Sequence, residues 1–206
     1  SGKRVAVVGT GATGVQVICA IAKEVKNLVV FQRRPNWCAP LHNSIISQSK
    51  MADIKRNYDA IFEKCRSTPS GFYHNFDPRK TFEVDQKKRE HFWEELYASP
   101  GFRIWLGNFR DTLSDEKANL EFSNFVAKKI RQRVKSSEIA ELLIPKDHGF
   151  GTRRVPMENG YYEVFNQDNV KLVNLEANPI IEVTEHGILT ENQEYNFDII
   201  IYATGF

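Results

Sequence analysis

The sequence predicts an α/β protein: a Rossmann-like, three-layer nucleotide-binding domain with a small β-meander and a large helical insertion. An apolar run, residues 4–8, leads without a gap into a glycine motif, and an apolar-faced helix pattern follows. A second run, residues 28–32, suits a parallel strand covered on both faces, but the next such run is residues 170–173. Because two parallel strands are normally joined by a unit of roughly 30 residues, the helical pattern between them is predicted to be an insertion. The predicted boundaries are 1–43 and 145–206 for the nucleotide-binding domain and 44–144 for the insertion.

The glycine motif reads G-x-G-x-x-G, with glycines at positions 9, 11 and 14. In a dinucleotide site, the first glycine permits the tight turn off the strand and the second lets the backbone approach a pyrophosphate. The third lets the helix and the strand pack closely. The free N–H groups and the positive end of the helix dipole then face the anion. The alternative is a glycine-rich turn without a ligand, but the flanking strand and helix favour a dinucleotide site.

The residues after the second strand favour NADP(H) over NAD(H). About 20 residues beyond the last glycine, an NAD site would place Asp or Glu against the ribose 2′-hydroxyl. This chain has Gln32, Arg33 and Arg34 there. A guanidinium holds a 2′-phosphate through paired charge-assisted hydrogen bonds, whereas a carboxylate would repel it. The alternative, which applies above all to Arg34, is a solvated strand end.

Composition argues against several other classes of protein. The chain has 206 residues, 41% hydrophobic and 26% charged, which is ordinary for a globular protein. Its net charge of +2 argues against a general binder of nucleic acid or of anionic membranes. The three cysteines form no C-x-x-C pair, so neither a disulfide framework nor a redox pair is indicated. No run approaches the roughly 20 apolar residues of a membrane span, and no signal peptide is recognised. We therefore expect a cytoplasmic protein, and the start at Ser1 suggests a piece of something longer.

The elements up to the end of the insertion follow from periodicity and breakers. Helices are predicted over residues 12–26, 52–65, 84–97 and 138–143, and residues 36–43 are predicted to be a loop. Trp37 in that loop is expected to pack rather than to stack on an adenine. Ser114 is expected to cap a long helix with an apolar stripe at every fourth position. That stripe consists of Phe122, Val126, Ile130 and Val134, while Lys128, Lys129, Arg131, Arg133 and Lys135 are expected to form the solvated side.

After the insertion, a loop over residues 146–156 presents the adjacent arginines Arg153 and Arg154. In a fold with a cofactor crevice, such a pair can address a phosphate or a developing negative charge. His148 lacks companion ligands or bases, so it is expected to be a surface histidine. A short helix over residues 161–165, a strand at 170–173, a hairpin from 180 to 190 and a final strand complete the expected order.

Together these features resemble the NADPH-binding domain of the Baeyer–Villiger monooxygenases, the flavin-dependent enzymes that turn ketones into esters or lactones. The resemblance spans essentially the whole chain, including the placement of the insertion. Its more specific pieces are Gly-Thr-Arg-Arg at residues 151–154 and Ala-Thr-Gly-Phe at residues 203–206, since many dehydrogenases share the glycine motif. The matching residues are 2–16, 31–35, 151–156, 161–163, 165–166, 168–170 and 203–206.

The resemblance implies NADP(H) and FAD as cofactors, with an FAD-binding domain in cis, a ketone and O₂ as partners. It implies that Arg33 and Arg153, the latter standing where the family usually has Lys, grip the 2′-phosphate. Arg154 corresponds to the catalytic arginine, which lies near the nicotinamide and flavin and stabilises negatively charged intermediates. No metal site is predicted. The cofactor-binding residues predicted from the motif and the resemblance are Gly9, Thr10, Gly11, Ala12, Thr13, Gly14, Gln16, Arg33, Arg34 and Arg153.

The sequence also departs from the family. It lacks the family's glycine motif for FAD, the acidic residue beside the flavin, and the fingerprint containing His and Trp. We therefore expect this chain alone to bind NADP(H) weakly and to consume none. Related N-hydroxylating or S-oxygenating flavin monooxygenases share the glycine motif and a similar Ala-Thr-Gly, but the Gly-Thr-Arg-Arg loop favours ketone oxidation. The alternative from another class is a non-catalytic NADP(H)-sensing or interaction module with the aromatic insertion as its partner surface.

Overall fold

A computed structural model describes residues 2–205, so Ser1 and Phe206, the last residue of the Ala-Thr-Gly-Phe motif, lie outside the described residues. The chain divides into two compact units. One comprises the chain up to Cys38 together with the chain from Val126 onward, and the other is Ala39–Phe125. The division differs from the predicted insertion of 44–144 at both ends, because residues 39–43 fall in the second unit and residues 126–144 fall in the α/β unit.

The α/β unit contains a four-stranded parallel sheet and a separate antiparallel meander. The strands of the described residues, of which β3 alone lies in the other unit, are β1 (Arg4–Val8), β2 (Asn27–Gln32), β3 (Ala39–Pro40), β4 (Met157–Glu158), β5 (Val170–Asn174), β6 (Ile180–Val183), β7 (Gly187–Thr190), β8 (Glu194–Asn196) and β9 (Ile199–Tyr202). The parallel sheet has the order β5-β2-β1-β9, and the meander has the order β6-β7-β8. The predicted Rossmann-like sheet and the predicted meander are therefore confirmed.

Packing on the two faces of the parallel sheet gives the unit its three layers. On one face, Phe31 of β2 meets the rings of Tyr195 and Phe197 edge-on, with ring centroids 5.4 and 5.9 Å apart. Ile188 of β7 is fully buried in the same apolar cluster. On the other face the helix that follows the glycine motif lies against β1. Strands β1 and β2 are buried almost throughout, as continuous apolar runs in a covered parallel sheet are expected to be.

Eight α-helices and one short 3₁₀ helix lie within the described residues. The α-helices are α1 (Ala12–Ile21), α2 (Gln48–Arg56), α3 (Tyr58–Ser67), α4 (Gln86–Ala98), α5 (Arg103–Leu106), α6 (Glu116–Arg133), α7 (Ser137–Leu143) and α8 (Tyr161–Val164), and the 3₁₀ helix is Thr81–Glu83. The stripe along α6 is confirmed. Its residues are all buried: Phe122, Val126, Ile130 and Val134.

The structure corrects the end of the first helix. Helix α1 ends at Ile21 and not near residue 26. Two carbonyls just beyond it, those of Ala22 and Val25, accept hydrogen bonds from the side-chain amide of Asn169, at 2.9 and 3.2 Å. The N–H of Lys26 already donates to the carbonyl of Lys3 at 2.9 Å. The backbone groups after Ile21 therefore form hydrogen bonds to distant residues instead of continuing the helix, and the chain turns into β2.

Three further expectations about local structure are wrong. The helix predicted over residues 52–65 is two helices, α2 and α3, separated at Asn57, whose ψ of 13° and φ of −106° leave the helical range. Asp115, not Ser114, caps α6, since its carboxylate accepts the N–H of Ala118 at 2.9 Å. The loop predicted over residues 36–43 contains the two-residue strand β3.

Arg133 is not on a solvated face as expected. Its side chain is 18% exposed, and its guanidinium reaches both oxygens of Glu158, at 2.7 and 3.1 Å. Glu163 accepts from the same guanidinium at 2.5 and 2.7 Å. The side chain of Glu158 is fully buried and also accepts the N–H of Tyr161 at 2.8 Å. This ion-pair cluster ties the end of α6 to the start of α8.

The second unit has an aromatic core of its own. Trp93 of α4 packs against Phe122 and Phe125 of α6, with ring centroids 5.2 and 5.6 Å apart. The indole N–H of Trp93 donates to the side-chain oxygen of Asn108 at 3.1 Å. The buried guanidinium of Arg89 is paired with Glu121 at 2.9 Å. Trp93, Phe122 and Phe125 are thus core residues, whereas other aromatic residues of this segment, such as Phe62 and Phe82, are exposed.

Candidate functional site

The candidate site is built on the glycine turn between β1 and α1, where each glycine has a distinct steric situation. Gly9 has a φ of +106°, and a Cβ there would lie 2.4 Å from the carbonyl oxygen of Ala203. A Cβ at Gly14 would lie 2.2 Å from the carbonyl oxygen of Gly9. At Gly11 a Cβ would meet nothing within 4 Å. The first and third glycines are therefore required by the fold, and the second leaves open space above the backbone.

A cleft of about 400 Å³ opens over this turn. Its floor is the stretch of residues 9–13, which brings the N-terminus of α1 to the cavity. Its sides come from the carboxyl ends of the neighbouring strands, where ligands of open parallel sheets bind. The lining residues are Val8, residues 9–13, Phe31, Arg33, Arg34, Leu175 and residues 203–205. Bare backbone N–H groups and two guanidinium groups therefore share one cavity, which suits a ligand with several phosphates.

Arg33 and Arg34, at the end of β2, differ in their electrostatic situation. Arg33 is exposed, and its guanidinium has no ion-pair partner among residues 2–205. The half-exposed guanidinium of Arg34 lies 4.0 Å from Asp147 and 3.9 Å from Glu176. The charge of Arg34 is thus partly balanced within the protein, and Arg33 offers its charge to the cleft.

The loop after α7 brings Arg153 beside this pair. Its guanidinium lies 3.1 Å from Asp147, the same carboxylate that faces Arg34. A hydrogen bond from His148, and then the charges of His148 and Arg153, hold the pKa of the Asp147 carboxyl below its usual value. Arg154 is exposed, and its side chain has no partner within the described part of the chain. The backbone carbonyl of Arg154 accepts a hydrogen bond from Asn36 at 3.2 Å.

His148 is not a surface residue as expected, because its side chain is only 6% exposed. Its Nδ1 lies 2.6 Å from Asp147, and its Nε2 lies 3.4 Å from the side-chain oxygen of Asn36. Its carbonyl accepts the indole N–H of Trp37 at 2.8 Å. Trp37 is buried against Phe150, with ring centroids 6.3 Å apart, so the prediction that it packs is confirmed.

The structure brings most of the predicted binding residues together. Gly14 and Gln16 do not line the cleft: Gly14 is buried under the turn and Gln16 is exposed further along α1. Arg153 and Arg154 are not part of its lining either. The predicted residues that line it are Gly9, Thr10, Gly11, Ala12, Thr13, Arg33 and Arg34.

Sequence reasoning missed several residues of the site. Asp147 and Glu176 were not singled out, although both face Arg34. Leu175, which lines the cleft, was also missed. A lone carboxylate in a loop carries no signal of its own. The only relevant signal in the sequence is the presence of several arginines, whose charges favour acidic residues nearby.

The cysteines are free, and the two in the α/β unit lie apart from the cleft. Burial raises the pKa of Cys19 to about 11. Burial likewise raises the pKa of Cys38, which is fully enclosed. Both are therefore inert thiols that fill space. Within residues 2–205, no three metal-ligating side chains cluster, and no helix has the length and apolar character to cross a membrane.

Known proteins with similar sequences and structures are flavin monooxygenases. The chain is 54% identical over its whole length to 2-oxo-Δ3-4,5,5-trimethylcyclopentenylacetyl-CoA monooxygenase of Pseudomonas putida and 41% identical to cyclopentanone 1,2-monooxygenase of Comamonas sp.. It is 40% identical to a phenazine N-monooxygenase of Lysobacter antibioticus. The crystal structure of OTEMO complexed with FAD and NADP matches all of the chain with a TM-score of 0.98 and 54% identity. No protein-family profile matches the chain.

The chain is homologous to Baeyer–Villiger flavin monooxygenases. It spans 38% of the length of the Pseudomonas and Comamonas relatives and 38% of the OTEMO chain. The resemblance inferred from the glycine motif and the Gly-Thr-Arg-Arg loop is thereby confirmed, as is the Rossmann-like fold. The cleft over residues 9–13 therefore belongs to the region that this chain shares with those monooxygenases.

Proposed function

We propose that this chain is the NADP(H)-binding portion of an FAD-dependent monooxygenase of the Baeyer–Villiger type, which inserts one atom of O₂ into a ketone to give an ester or lactone. The observation that carries the proposal is the shared cavity of the glycine turn and Arg33. The OTEMO structure, which matches the whole chain, was solved with FAD and NADP. When bound, NADPH supplies the hydride that reduces FAD, and the reduced flavin activates O₂.

The residues of the turn fit the diphosphate of such a cofactor. The open space at Gly11 lets a phosphate come close to the backbone, and the first residues of α1, Ala12 and Thr13, line the same cleft. Gly14 stays buried beneath the turn and acts by allowing α1 to approach the strand ends. The turn therefore binds an anion without using a charged side chain.

The arginines supply the charge that the turn lacks. Arg33, exposed and without an ion-pair partner in the described chain, is proposed to hold the 2′-phosphate. Arg153, linked to Arg34 through Asp147, is proposed to reach the same phosphate. Arg154 is proposed as the catalytic residue, because it is exposed, carries a permanent charge and leaves its side chain free for an anionic oxygen. Gln16, exposed on α1, is proposed to contribute to binding from outside the cleft.

Calorimetric titration of the chain with NADPH and NADH tests the cofactor assignment. We expect NADPH to bind more tightly, and Arg33→Ala to lower NADPH affinity by roughly ten- to hundredfold. That loss corresponds to a hydrogen bond between charged groups, about 1.5–3 kcal/mol. NADH affinity should not change. Equal affinities of the wild-type chain for both cofactors would contradict the assignment.

A matched control separates this effect from a general loss of positive charge. Arg66→Ala removes an arginine that is exposed on α3 and paired with Glu63 at 2.9 Å. This variant should bind NADPH as the wild type does. The chain alone is further expected to leave NADPH unoxidised when a ketone is added. Stoichiometric FAD in the purified chain, or ketone-dependent NADPH oxidation by it, would be the opposite result.

An N-oxygenating flavin monooxygenase is the second candidate. It is favoured by the 40% identity over the whole chain to a phenazine N-monooxygenase. The Gly-Thr-Arg-Arg loop favours the ketone reaction. Assaying the longest reading frame that contains this chain with a cyclic ketone and with an aromatic N-heterocycle distinguishes the two. The proposal also includes an FAD-binding domain in cis and a cytoplasmic location, the latter supported by the three free cysteines.

A further inference from the structure

Asp147, to which the proposed function gives no role, lies at the centre of a group of charged and polar side chains. One carboxylate oxygen, Oδ2, lies 3.1 Å from Nη2 of Arg153 and 4.0 Å from Nη1 of Arg34. The other, Oδ1, lies 2.6 Å from Nδ1 of His148. One acid thus joins two guanidinium groups that come from segments more than a hundred residues apart in sequence.

His148 fixes the position of that acid. The imidazole is nearly enclosed, and its second nitrogen faces the side-chain oxygen of Asn36 at 3.4 Å. The amide nitrogen of Asn36 donates to the carbonyl of Arg154, which sets the orientation of that amide. Because an ionised carboxylate can only accept hydrogen bonds, the ring donates to Asp147 through Nδ1–H at 2.6 Å. A buried ring, unlike a free surface side chain, gives the carboxylate little freedom to rotate away.

This carboxylate lies beside two arginines whose side chains are otherwise largely in solvent. Arg34 and Arg153 are both about half exposed, and an arginine in solvent samples many rotamers. A second cleft, of about 410 Å³, is lined by Asp147 and Glu176 and shares Arg33 and Arg34 with the first cleft. The acid therefore lies next to the arginines on the side away from the glycine turn. Its position draws Arg34 and Arg153 toward each other without placing the carboxylate in the lining of the first cleft.

We propose that Asp147, held by His148, is a positioning residue that fixes Arg34 and Arg153 and thereby sets the preference of the site for a nucleotide bearing a 2′-phosphate. This inference rests on the proposed function, because it assigns a residue that controls the selectivity of the same cleft. Asp147 touches no ligand itself. Its contribution is to remove the rotamer freedom of two arginines before binding.

Calorimetric titration with 2′,5′-ADP and 5′-AMP isolates the contribution of the 2′-phosphate. Asp147→Ala should lower affinity for 2′,5′-ADP by roughly five- to tenfold, the loss expected when a charge-assisted contact loses its orientation. Affinity for 5′-AMP should stay the same. Asp147→Asn keeps an acceptor oxygen for Arg153 and should retain part of the preference. His148→Ala should act in the same direction as Asp147→Ala.

Control variants distinguish loss of the positioning role of Asp147 from loss of the fold and from failure of the proposed function. Asp53→Ala, which removes an exposed acid paired with Arg56 on α2, should leave both affinities as in the wild type. Circular dichroism of each variant tests that the fold is kept. If the wild type prefers 2′,5′-ADP but Asp147→Ala keeps or increases that preference, the positioning role is refuted and the cofactor assignment stands. If the wild type shows no preference, both are refuted.

Discussion

The hydroxyl of Thr10 donates a hydrogen bond of 3.0 Å to the backbone carbonyl of Arg34. Thr10 is buried within the glycine turn, so this bond ties the turn that faces the diphosphate to the segment that carries the arginines. The spacing between the two parts of the site is therefore held by a bond from a side chain to the backbone. Thr10, predicted to bind the cofactor, has its side chain committed to this internal bond.

The glycine turn offers a pair of variants with opposite consequences. Gly14→Ala places a Cβ 2.2 Å from the carbonyl oxygen of Gly9, so it should destabilise the fold by about 1–3 kcal/mol despite the better helix propensity of alanine. Gly11→Ala places a Cβ in open space, so it should leave the thermal midpoint unchanged and weaken NADPH binding. Thermal unfolding and calorimetry on both variants check this. Loss of stability in Gly11→Ala would contradict the assigned roles.

The two adjacent arginines should contribute unequally. Arg34 already faces Asp147 and Glu176, whereas Arg33 has no acidic partner in residues 2–205. We therefore expect Arg34→Ala to lower NADPH affinity less than Arg33→Ala does, by under about tenfold. The measurement is the calorimetric Kd of each variant in the same buffer. A larger loss of NADPH affinity for Arg34→Ala than for Arg33→Ala would contradict this prediction.

The buried cluster at the end of α6 should matter for stability. Glu158→Ala removes the buried acid that pairs with Arg133 and leaves the N–H of Tyr161 without that acceptor. We expect the free energy of unfolding to fall by about 2–3 kcal/mol, since both a buried pair and a hydrogen bond are lost. Glu141→Ala removes exposed pairs with Arg131, at 2.6 Å, and Lys146, at 3.4 Å, and should cost less than about 1 kcal/mol. Urea denaturation of both variants measures the contrast, and equal losses would contradict it.

Ionisation of the Asp198 carboxylate should contribute to the dependence of the free energy of unfolding on pH under acidic conditions. Hydrogen bonds from the side chain and the backbone N–H of Arg4 lower its pKa from 3.8 to about 2. Because the pKa is lowered on folding, this stabilisation is complete above pH 3.8 and is lost as the pH falls through about 2.

Urea midpoints of the wild type and of Asp198→Asn, measured from pH 5 down to the acid limit, test this sign. The wild type should be the more stable of the two at pH 5. The difference should shrink as the medium becomes more acidic. A difference that stays constant over the whole range would show that ionisation of Asp198 plays no part.

The sequence predicted those parts of the fold that depend on neighbouring residues. The strand, the glycine turn and the start of α1 were predicted from the apolar runs on either side of the glycine motif, and the buried face of α6 was predicted from its four-residue repeat. The features that the sequence did not predict depend on hydrogen bonds between residues far apart in the chain. Helix α1 ends where Asn169, 147 residues away from Ala22, takes the exposed carbonyls.

The candidate site divides in the same way. The turn and Arg33 were predicted because their spacing within a strand–turn–helix unit is fixed by geometry. The role of Asp147 and the burial of His148 were not predicted. Both depend on Trp37 and Asn36, which lie more than a hundred residues earlier. No local pattern around His148 indicates that an indole donates to its carbonyl.

The placement of β1 between β2 and β9 has a consequence for synthesis on the ribosome. Arg4 and Asp198, joined at one end of this pairing, are separated by 194 positions, and the carbonyl of Ala203 closes over Gly9. A nascent polypeptide therefore exposes its glycine loop early but lacks one wall of the pocket until translation has passed residue 203. The pocket is therefore complete for nucleotide only after that moment, and until then the edge of β1 that pairs with β9 is unpaired.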